Sequence, residues 1–381
     1  MSTSVAVPYF QRAWQIKLTP QTQSNSIILS SDQFAVPLRA TFEIAAHSLA
    51  AGPSGGANYW TCDMTIYNIA ETLQAQLQNS GVSQSSLAAG LQNQLTLLQQ
   101  SEAIQMGDLL QISAGYKSGS GGPFTPEANQ IWSGHVFQPI WTRENVVDYK
   151  ITLRCLVGLL QDQLSAVNIS VAAGKTPYQA IQQICDACGI QIDETVTGQP
   201  GVDSQTLSMQ KFSRAQVYSG KPLTEIAKIA APYKLQMWLS PNGLNVRSLE
   251  STSTAVPDYV YGPPNLPGVY APAGSTTGVI KKTLLGVPEQ TQQGVTFKVL
   301  MDAGVRIGDV VGLAPGTAIN QFPYTIPGYP AILDKGGNYV VAGIRHVGDT
   351  RGGNADWYTE ITGLTNQFFR NFLNITSPAV G

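Results

Sequence analysis

The chain has 381 residues, which is enough for two or three domains with sizeable hydrophobic cores. Only 12% of its residues are charged, about half the roughly 25% that is usual, and the formal net charge is −2. This composition predicts no nucleic-acid binding, and it suits a subunit covered by partners, because the cores of protein interfaces are depleted of charge.

The N-terminal segment, residues 1–19, lacks the basic start, apolar core and cleavage site of a secretion signal. No apolar run approaches the roughly 18 residues that a membrane span needs. Four cysteines are too few for a disulfide framework in a chain of this length. The sequence therefore predicts a protein that is made and kept in the cytoplasm and has no membrane span.

Residues 1–165 are predicted to form a first β domain. Runs with alternating or β-branched residues, bounded by Gly, Pro, Ser and Asn, predict its strands. These runs are AWQIKLT, LRATFEIAA, YWTCDMTIYNI, LLQISAGY, IWSGHVFQPI and VVDYKITLRCLVG. Residues 70–105 interrupt the pattern with a composition rich in Gln, Leu and Ala, which predicts helix. A break at residues 79–81, Asn-Ser-Gly, divides this helical insertion into two helices.

Residues 174–192, GKTPYQAIQQICDACGIQI, contain two short motifs that are typical of enzymes. A phosphate-binding loop would need a glycine five residues before Gly174, but that position is Ile169. A turn that leads into a helix, with Pro177 in the first helical turn, explains GKT better. We therefore expect no nucleotide site.

Cys185 and Cys188 form the second motif, and on a helix they share one face with Ile181 and Ile184. A redox pair should begin a helix, where the dipole lowers the thiol pKa, whereas this pair ends one just before Gly189. A structural zinc ion needs four ligands, and the three histidines of the chain are scattered. The pair is predicted to pack as small hydrophobic residues, with no metal and no cofactor.

The same stretch belongs to a repeat within a middle α/β module, residues 166–252. Aligning Pro177 with Pro222 also aligns Ile181 with Ile226. Each repeat reads as a strand, a turn, a short amphipathic helix and a second strand. Because the second repeat lacks the cysteine pair, cysteine chemistry does not hold the motif in place.

Residues 253–365 return to a β pattern and are predicted to form a second β domain. Its predicted strands lie in VIKKTLLGV, GVTFKVLM, DVVGLAPG, NYVVAGIRHVGD and DWYTEITGL. Residues 107–115 match residues 308–316 at an offset of 201, and residues 64–69 match residues 295–300 at an offset of 231. The difference, 30 residues, is the predicted length of the helical insertion. The predicted fold is mainly β with α+β character: two related tube-like β-barrels that flank a small duplicated α/β module.

Residues 366–381 follow the last predicted strand and contain a dense apolar cluster. The candidate partner-docking residues in this segment are Phe368, Phe369, Phe372 and Leu373. On a helix they form one stripe, which packs either on its own barrel or on a neighbouring subunit or partner. Exposed apolar patches of this density are rare on monomers, and aromatic anchors dominate binding energy at interfaces.

The order of these motifs resembles the central baseplate hub protein of phages with contractile tails, a family related to the barrel part of type VI secretion spike proteins. The residues that carry the resemblance lie in TIYNI, GDLLQISAGY, IWSGHVF, VDYKITLRCLVG, TPYQAIQQIC, LTEIAKIA, GVTFKVLMDAGVRIGDVVGL and RHVGDTRGGNADWYTEITGL. They span roughly residues 10 to 365. The helical insertion is not part of the family pattern.

The resemblance implies a structural virion protein that is not an enzyme. In that family three chains, each with two barrels, present a ring of six barrels that adapts the hexameric tail tube to the trimeric central spike. The implied partners are two further copies of the chain, a tail tube protein or tube initiator, and the spike, with the tape measure protein as a further candidate. The implied location is the tail baseplate, after assembly in the host cytoplasm. The resemblance supplies no catalytic, metal or cofactor residues.

Two alternatives remain open at this point. A tail-associated hydrolase would use Asp309, Asp349 or His346, although Asp309 matches a turn aspartate, Asp108, and a lone histidine at a strand end is usually structural. Asp349, Arg351 and Asp356 are instead expected to pair across a loop. A cell-wall glycan-binding protein would place stacking aromatic residues in the middle module. The candidates for that stacking are Tyr178, Tyr233 and Trp238.

Overall fold

The structure is a computed structural model, and it describes fifteen segments of the chain. These are residues 11–21, 26–31, 38–47, 49–50, 60–68, 104–117, 124–143, 149–193, 201–248, 257–264, 279–281, 283–291, 294–320, 338–351 and 355–365. Their architecture is mainly β, as the sequence predicts. Most of the helical insertion and all four candidate docking residues lie outside the described residues. None of the described helices is both long and apolar enough to cross a membrane.

Eight strands come from the first β region. They are β1 (Arg12–Thr19), β2 (Ile27–Ser30), β3 (Ala40–His47), β4 (Leu49–Ala50), β5 (Thr61–Tyr67), β6 (Leu109–Tyr116), β7 (Gln130–Arg143) and β8 (Tyr149–Leu156). Alternation of buried and accessible residues along β1 and β5 follows from the two-residue period of a strand with one face in the core.

In its described residues, the middle module contributes four short strands and three α-helices. The strands are β9 (Val167–Val171), β10 (Gln216–Gly220), β11 (Gln236–Ser240) and β12 (Gly243–Arg247), and the helices are α1 (Pro177–Cys188), α2 (Ser204–Ser208) and α3 (Pro222–Ala230). Helices α1 and α3 both begin at the prolines that the repeat aligns. Strands β9 and β10 pair with each other, and β4 of the first β region adds to the β11–β12 hairpin.

Seven strands come from the second β region. They are β13 (Tyr259–Tyr261), β14 (Val279–Lys281), β15 (Leu284–Gln290), β16 (Gly294–Leu300), β17 (Val310–Leu313), β18 (Asn338–Asp349) and β19 (Trp357–Leu364). The strand order β13-β17-β18-β19-β16-β15 repeats the order β1-β6-β7-β8-β5-β3 of the first region. The pairs match in direction except for the first, since β1 and β6 are antiparallel whereas β13 and β17 are parallel.

The two regions also share their register. Cys155 of β8 pairs with Val136 on one side and Cys62 on the other, and Gly363 of β19 pairs in the same way with Val341 and Val295. Each region has a β-bulge at the same point, between Val136 and Gln138 and between Val341 and Gly343. A bulge inserts one residue into a ladder, so its recurrence fixes the equivalence of the two regions to the residue.

This register corrects one predicted alignment and supports the other. Leu109 and Val310 occupy equivalent positions, which agrees with the predicted offset of 201. Cys62 is equivalent to Val295, so the offset there is 233 and not 231, and the first region is longer by 32 residues between these strands. The predicted alignment of these two strands is therefore wrong by two residues. Sequence patterns do not reveal such an error, because a shift of two residues keeps every side chain on the same face of a strand.

The mainly β character is confirmed, but the two tube-like barrels are not, because no barrel closes among the described strands. Instead, strands of both regions form one continuous 14-stranded sheet. The outer edge of β3 does not return to its own region but pairs with β18 of the second region. Sequence patterns miss this pairing because it joins residues about 300 positions apart.

Candidate functional site: the seam between the two β regions

The internal seam is the antiparallel pairing of β3 with β18. It runs without interruption from the pair Gly343 and His47 to the pair Asp349 and Thr41. Beyond the last pair, the Thr350 N–H donates to the Ala40 carbonyl at 3.0 Å, and Thr350 Oγ1 accepts from the Ala40 N–H at 2.8 Å. The same hydroxyl donates to the Leu38 carbonyl. Main-chain bonds therefore hold the two regions as one body.

Aromatic packing reinforces one end of the internal seam. The rings of Phe42 on β3 and Trp357 on β19 meet edge to face, with centroids 5.6 Å apart. The Arg12 guanidinium lies 5.6 Å from the centroid of the Trp357 ring and donates to the Ala355 carbonyl at 2.8 Å. Gly348 lies under Phe42, where a Cβ atom would overlap the ring.

Charges cross the internal seam at its surface. Arg345 of β18 donates to Glu43 of β3 through its Nε at 2.8 Å, and its Nη1 lies 3.8 Å from a carboxylate oxygen of Glu360. The hydrogen bond to Glu43 is the main reason that the pKa of Arg345 is raised. These side chains are partly exposed, so their main effect is to favour one register and not to add much stability.

A buried polar group lies on the core side of the seam. His346 Nδ1 and Thr359 Oγ1 are 2.9 Å apart, and Thr359 Oγ1 also accepts from the Asp302 N–H at 2.9 Å. The Asp302 carboxylate pairs with Lys281 and accepts from the Tyr261 hydroxyl at 2.9 Å. Burial lowers the pKa of His346 to about 4, so its ring is neutral at pH 7.

The three proposed hydrolase residues have separate structural partners. Asp309 Oδ2 accepts from the Arg306 N–H at 2.7 Å, just as Asp108 Oδ2 accepts from the Gln105 N–H at 2.8 Å. Asp309 is thus the turn aspartate that the alignment predicts. Burial raises its pKa to about 7, and the charge of Asp258 adds to that rise.

Asp349 and His346 also have local partners. Asp349 is the last residue of β18, and its carboxylate accepts from both the main-chain and side-chain N–H groups of Arg351, which is one of the pairings predicted for this loop. Asp356 takes part through its main-chain carbonyl, which accepts from the Asp349 N–H at 2.8 Å. His346 lies inside β18 and not at a strand end, so that detail of the prediction is wrong. The ladder between β18 and β19 continues past the histidine to the pair Gly348 and Trp357.

A small polar cavity of about 170 Å³ lies where the three parts of the chain meet. Residues that line it include Trp60, Trp132, Trp238, Asn245 and His346. Asp193, on the same wall, accepts from Ser240 Oγ at 3.2 Å and from Asn245 Nδ2 at 3.0 Å. Pockets for organic ligands usually measure about 300–1,000 Å³, so this cavity suits ordered water better than a polymeric substrate.

The GKT segment is a helix start. Thr176 Oγ1 accepts from the Gln179 N–H at 3.3 Å, while Gln179 Oε1 accepts from the Thr176 N–H at 3.2 Å, which together make a capping box. Gly174 has a φ of 83°, and its N–H donates to the Phe212 carbonyl at 2.8 Å. The glycine therefore serves a turn that is bonded to its own chain.

The cysteine pair lies at the end of α1, as predicted. Cys185 is buried in the core with Ile181 and Ile184, and Gly189 ends the helix with a φ of 66°. Burial raises the pKa of the Cys185 thiol to about 12, and it also raises the pKa of the half-buried Cys188. Both thiols are protonated at neutral pH and are poor nucleophiles. Within the described segments, no three His, Cys, Asp or Glu side chains are grouped as a metal site.

Replacing Cys185 and Cys188 together with alanine is expected to leave assembly intact. The change removes two small packing groups from α1, so the free energy of unfolding should fall by about 1–3 kcal/mol. Denaturant unfolding and the metal content of the purified protein measure the two effects. Stoichiometric zinc in the unmodified protein, lost in the double variant, would contradict a packing role.

The aromatic residues considered for sugar stacking are part of the middle module's core. Trp238 is buried in β11, and Tyr178 and Tyr233 pack against the core as partly buried residues. The guanidinium of Arg247 lies 5.3 Å from the centroid of the Trp238 ring. Buried indole rings have no free face for a sugar, so this arrangement does not favour glycan binding.

Comparisons with known proteins give structural likenesses only. No protein-family model matches the chain, and no curated protein matches it. The 43 kDa tail protein of prophage MuSo2 from Shewanella oneidensis is 10% identical, with a TM-score of 0.46 over 93% of this chain and 98% of that one. A tail protein from Neisseria meningitidis MC58 is 12% identical, with a TM-score of 0.46 over 94% of this chain and 98% of that one.

A third similar structure is the E. coli c3393 protein, described as a type VI secretion component that resembles the T4 bacteriophage tail proteins gp27 and gp5. It is 8% identical, with a TM-score of 0.43 over 86% of this chain and 74% of that one. These three similar structures are thus described as two tail proteins and one type VI secretion component. Because these TM-scores lie below 0.5, we base the proposed function on the chain's own strand pairing.

Proposed function

We propose that this chain is a structural subunit of a phage tail, a baseplate hub that works as a homotrimer. The observation that carries the proposal is the duplication: two β regions with the same strand order, register and bulge are joined in one continuous sheet. Three such chains contain six equivalent β units. A closed ring of three chains can therefore match a sixfold partner on one side and a threefold partner on the other.

In this proposal the sixfold partner is the tail tube protein or a tube initiator, and the threefold partner is the central spike. The two β units, residues 1–165 and 253–365, form the ring, and the middle module, residues 166–252, braces them. The tape measure protein is a further candidate partner. The protein would be assembled in the host cytoplasm and would end in the tail baseplate of the virion.

A role without catalysis is supported by the partners of the titratable residues. Asp309 holds a turn that recurs in both β units, Asp349 pairs with Arg351, and His346 is buried against Thr359. Each of these side chains has a local structural role. No cofactor and no nucleic acid are part of the proposed function.

The mass of the protein in solution tests the proposal. Light scattering is expected to give about three times the 40.7 kDa chain mass.

A second chain that ends after Leu364 tests the docking segment, residues 366–381. We expect this shorter chain to fold but to lose the trimer or the spike. A monomer with wall-hydrolysing activity would contradict the hub, and a truncated chain that keeps both partners with unchanged affinity would contradict docking by the segment.

A further inference from the structure

One aromatic side chain of the first β unit is exposed where its counterpart in the second unit is buried. The shared bulge makes residues 138–143 of β7 equivalent to residues 343–348 of β18, at an offset of 205. Trp141 of β7 is 48% exposed, whereas His346, at the equivalent position of β18, is 2% exposed. The two units therefore differ in what lies over this place in the sheet.

In the second unit, the residues that directly follow β16 lie over this place. Thr359 pairs with His346 in the ladder between β18 and β19. The Thr359 Oγ1 lies 3.7 Å from the Met301 sulfur and accepts from the Asp302 N–H at 2.9 Å. Met301 is itself buried. The connection from β16 to β17 therefore supplies the cover over this part of β18.

In the first unit, the equivalent connection is the helical insertion. Asn68 is equivalent to Met301, at the offset of 233 that the register gives for these strands. The Asn68 N–H donates to the Tyr149 carbonyl at 2.9 Å, and its Oδ1 accepts from the Tyr149 N–H at 2.8 Å. Tyr149 is the ladder partner of Arg143, the last residue of β7. The insertion therefore leaves the sheet beside the end of β7.

The insertion returns to the sheet at the other end of the same stretch of β7. The Gly107 N–H donates to the Val136 carbonyl at 2.8 Å, and Val136 is the residue at which the bulge begins. Residues 69–103 lie outside the described residues, but the chain on both sides of them is bonded to the β7–β8 hairpin. Trp141 lies between these two points of attachment.

Trp141 and Tyr149 form an apolar patch on the core face of the β7–β8 hairpin, here called the β7–β8 patch. Trp141 pairs with the buried Ile151, so its side chain lies on the core face of the sheet. Tyr149 lies two residues before Ile151, hence on the same face, and is 44% exposed. The Arg143 guanidinium lies 5.0 Å from the centroid of the Tyr149 ring. Neighbouring exposed aromatic rings mark a surface that another element covers.

The insertion begins with an apolar stripe that fits this patch. On a helix, Ile69, Leu73 and Leu77 share one face, at i, i+4 and i+8. Eight residues of helix are about 12 Å long. Trp141 and Tyr149 are diagonal neighbours on adjacent strands, which places them about 7–8 Å apart. A stripe of this length can therefore cover both rings at once.

We propose that the first helix of the insertion packs on the β7–β8 patch of its own chain, with Leu73 against Trp141. In this place the helix does for the first unit what Met301 does for the second. Because the stripe starts one residue after Asn68, it is tethered at the patch at an effective concentration on the order of millimolar, which favours it over another molecule. The inference does not rest on the proposed trimer, since both surfaces belong to one chain.

Cross-linking tests this contact directly. In a chain with Cys188→Ala, which removes the half-buried thiol, Leu73→Cys and Trp141→Cys together should react with a short bismaleimide to give a link within one chain. The matched control replaces Leu73→Cys with Ala75→Cys, on the opposite face of the helix, and should give an about fivefold lower yield. Equal yields from the two positions would overturn the proposal.

Mixing isotope-labelled and unlabelled chains before the reaction separates a link within one chain from a link between copies. A link within one chain joins two labelled or two unlabelled peptides, as we expect. If most linked pairs instead join a labelled peptide to an unlabelled one, another copy covers the β7–β8 patch and the proposal is wrong.

Tryptophan fluorescence gives a second measurement that needs no added cysteine. The contribution of Trp141 to acrylamide quenching is the difference between a chain with this tryptophan and the same chain with Trp141→Phe. Leu73→Asp should raise that contribution about twofold, because a carboxylate is costly to bury against the ring and the helix leaves the patch. Ala75→Asp is the control and should leave it unchanged.

Circular dichroism and the unfolding midpoint confirm that both variants are folded before they are compared. If Leu73→Asp leaves the Trp141 contribution unchanged, the first helix of the insertion does not cover the β7–β8 patch. If that contribution instead falls as the protein concentration rises, a second copy covers the patch. Either result overturns this proposal and leaves the proposed hub function intact.

Discussion

Replacing Gly348 with alanine is expected to lower the free energy of unfolding by about 2 kcal/mol. A Cβ atom at this position would lie 2.5 Å from Cε1 of Phe42 and closer still to Cζ. The Phe42 ring is buried and packs edge to face on Trp357, so it can move only by losing that contact. The change therefore strains the internal seam where β3 meets β18. Denaturant unfolding measures the loss, provided that the free energy of unfolding depends on denaturant concentration with the same slope in both chains.

Gly312→Ala is the matched control, because a Cβ atom added there would lie 3.5 Å from its nearest neighbour, an ordinary contact. This control should cost much less than Gly348→Ala. A second chain with both Phe42→Ala and Gly348→Ala should be more stable than the sum of the two single changes predicts, since removing the ring removes the clash. Equal effects of Gly348→Ala and Gly312→Ala would show that the seam is not tightly packed at this point.

Acidification is expected to destabilise the protein through His346, by about 3 kcal/mol between pH 7 and pH 4. Burial lowers the pKa of the folded imidazole to about 4, below its usual 6.5. Between these values the unfolded chain binds the proton more tightly, so protonation favours unfolding. The stabilisation is fully present above pH 6.5 and is lost as the pH falls towards 4.

His346→Gln isolates this effect, because glutamine does not titrate but can still hydrogen-bond to the Thr359 hydroxyl. The free energy of unfolding of the variant should fall less steeply with acidification than that of the unmodified protein. Comparing the two chains also cancels the contribution of Asp309 to the pH dependence. Its pKa is raised to about 7 in the folded chain, so its protonation favours folding, whereas that of His346 favours unfolding. His135→Gln, at a less buried histidine, should change the slope less. Identical slopes for the unmodified protein and His346→Gln would contradict the assignment.

Much of the fold follows from local sequence patterns. Two-residue alternation predicts the strands, and the recurring Gly-Asp turns before β6 and β17 predict the duplication. Both turns use a glycine with positive φ, 97° at Gly107 and 91° at Gly308. In each turn that glycine donates its N–H to a carbonyl at 2.8 Å, Val136 in one and Val341 in the other. The turn chemistry is local, so it is visible in the sequence.

The seam could not be predicted in the same way. Its residues look like ordinary strand residues, and nothing near β3 in the sequence indicates that its partner is β18. The same holds for Trp141 of β7, whose exposure depends on which strands pair with β7 and not on the residues around it in the sequence. By contrast, the start of α1 can be predicted from the sequence, since Thr176 and Gln179 have the spacing of a capping box.

The long loop closed by the seam has a consequence during synthesis. Glu43 and Arg345, which meet across it, are 302 positions apart. A ribosome that adds roughly 5–20 residues per second needs about 15–60 s to cover that distance. For that time the emerging β3 strand has no β18 to pair with, and its main-chain groups can bind any other nascent strand. The edge of β3 that does not pair with β5 is therefore exposed to wrong strand pairing until translation is complete.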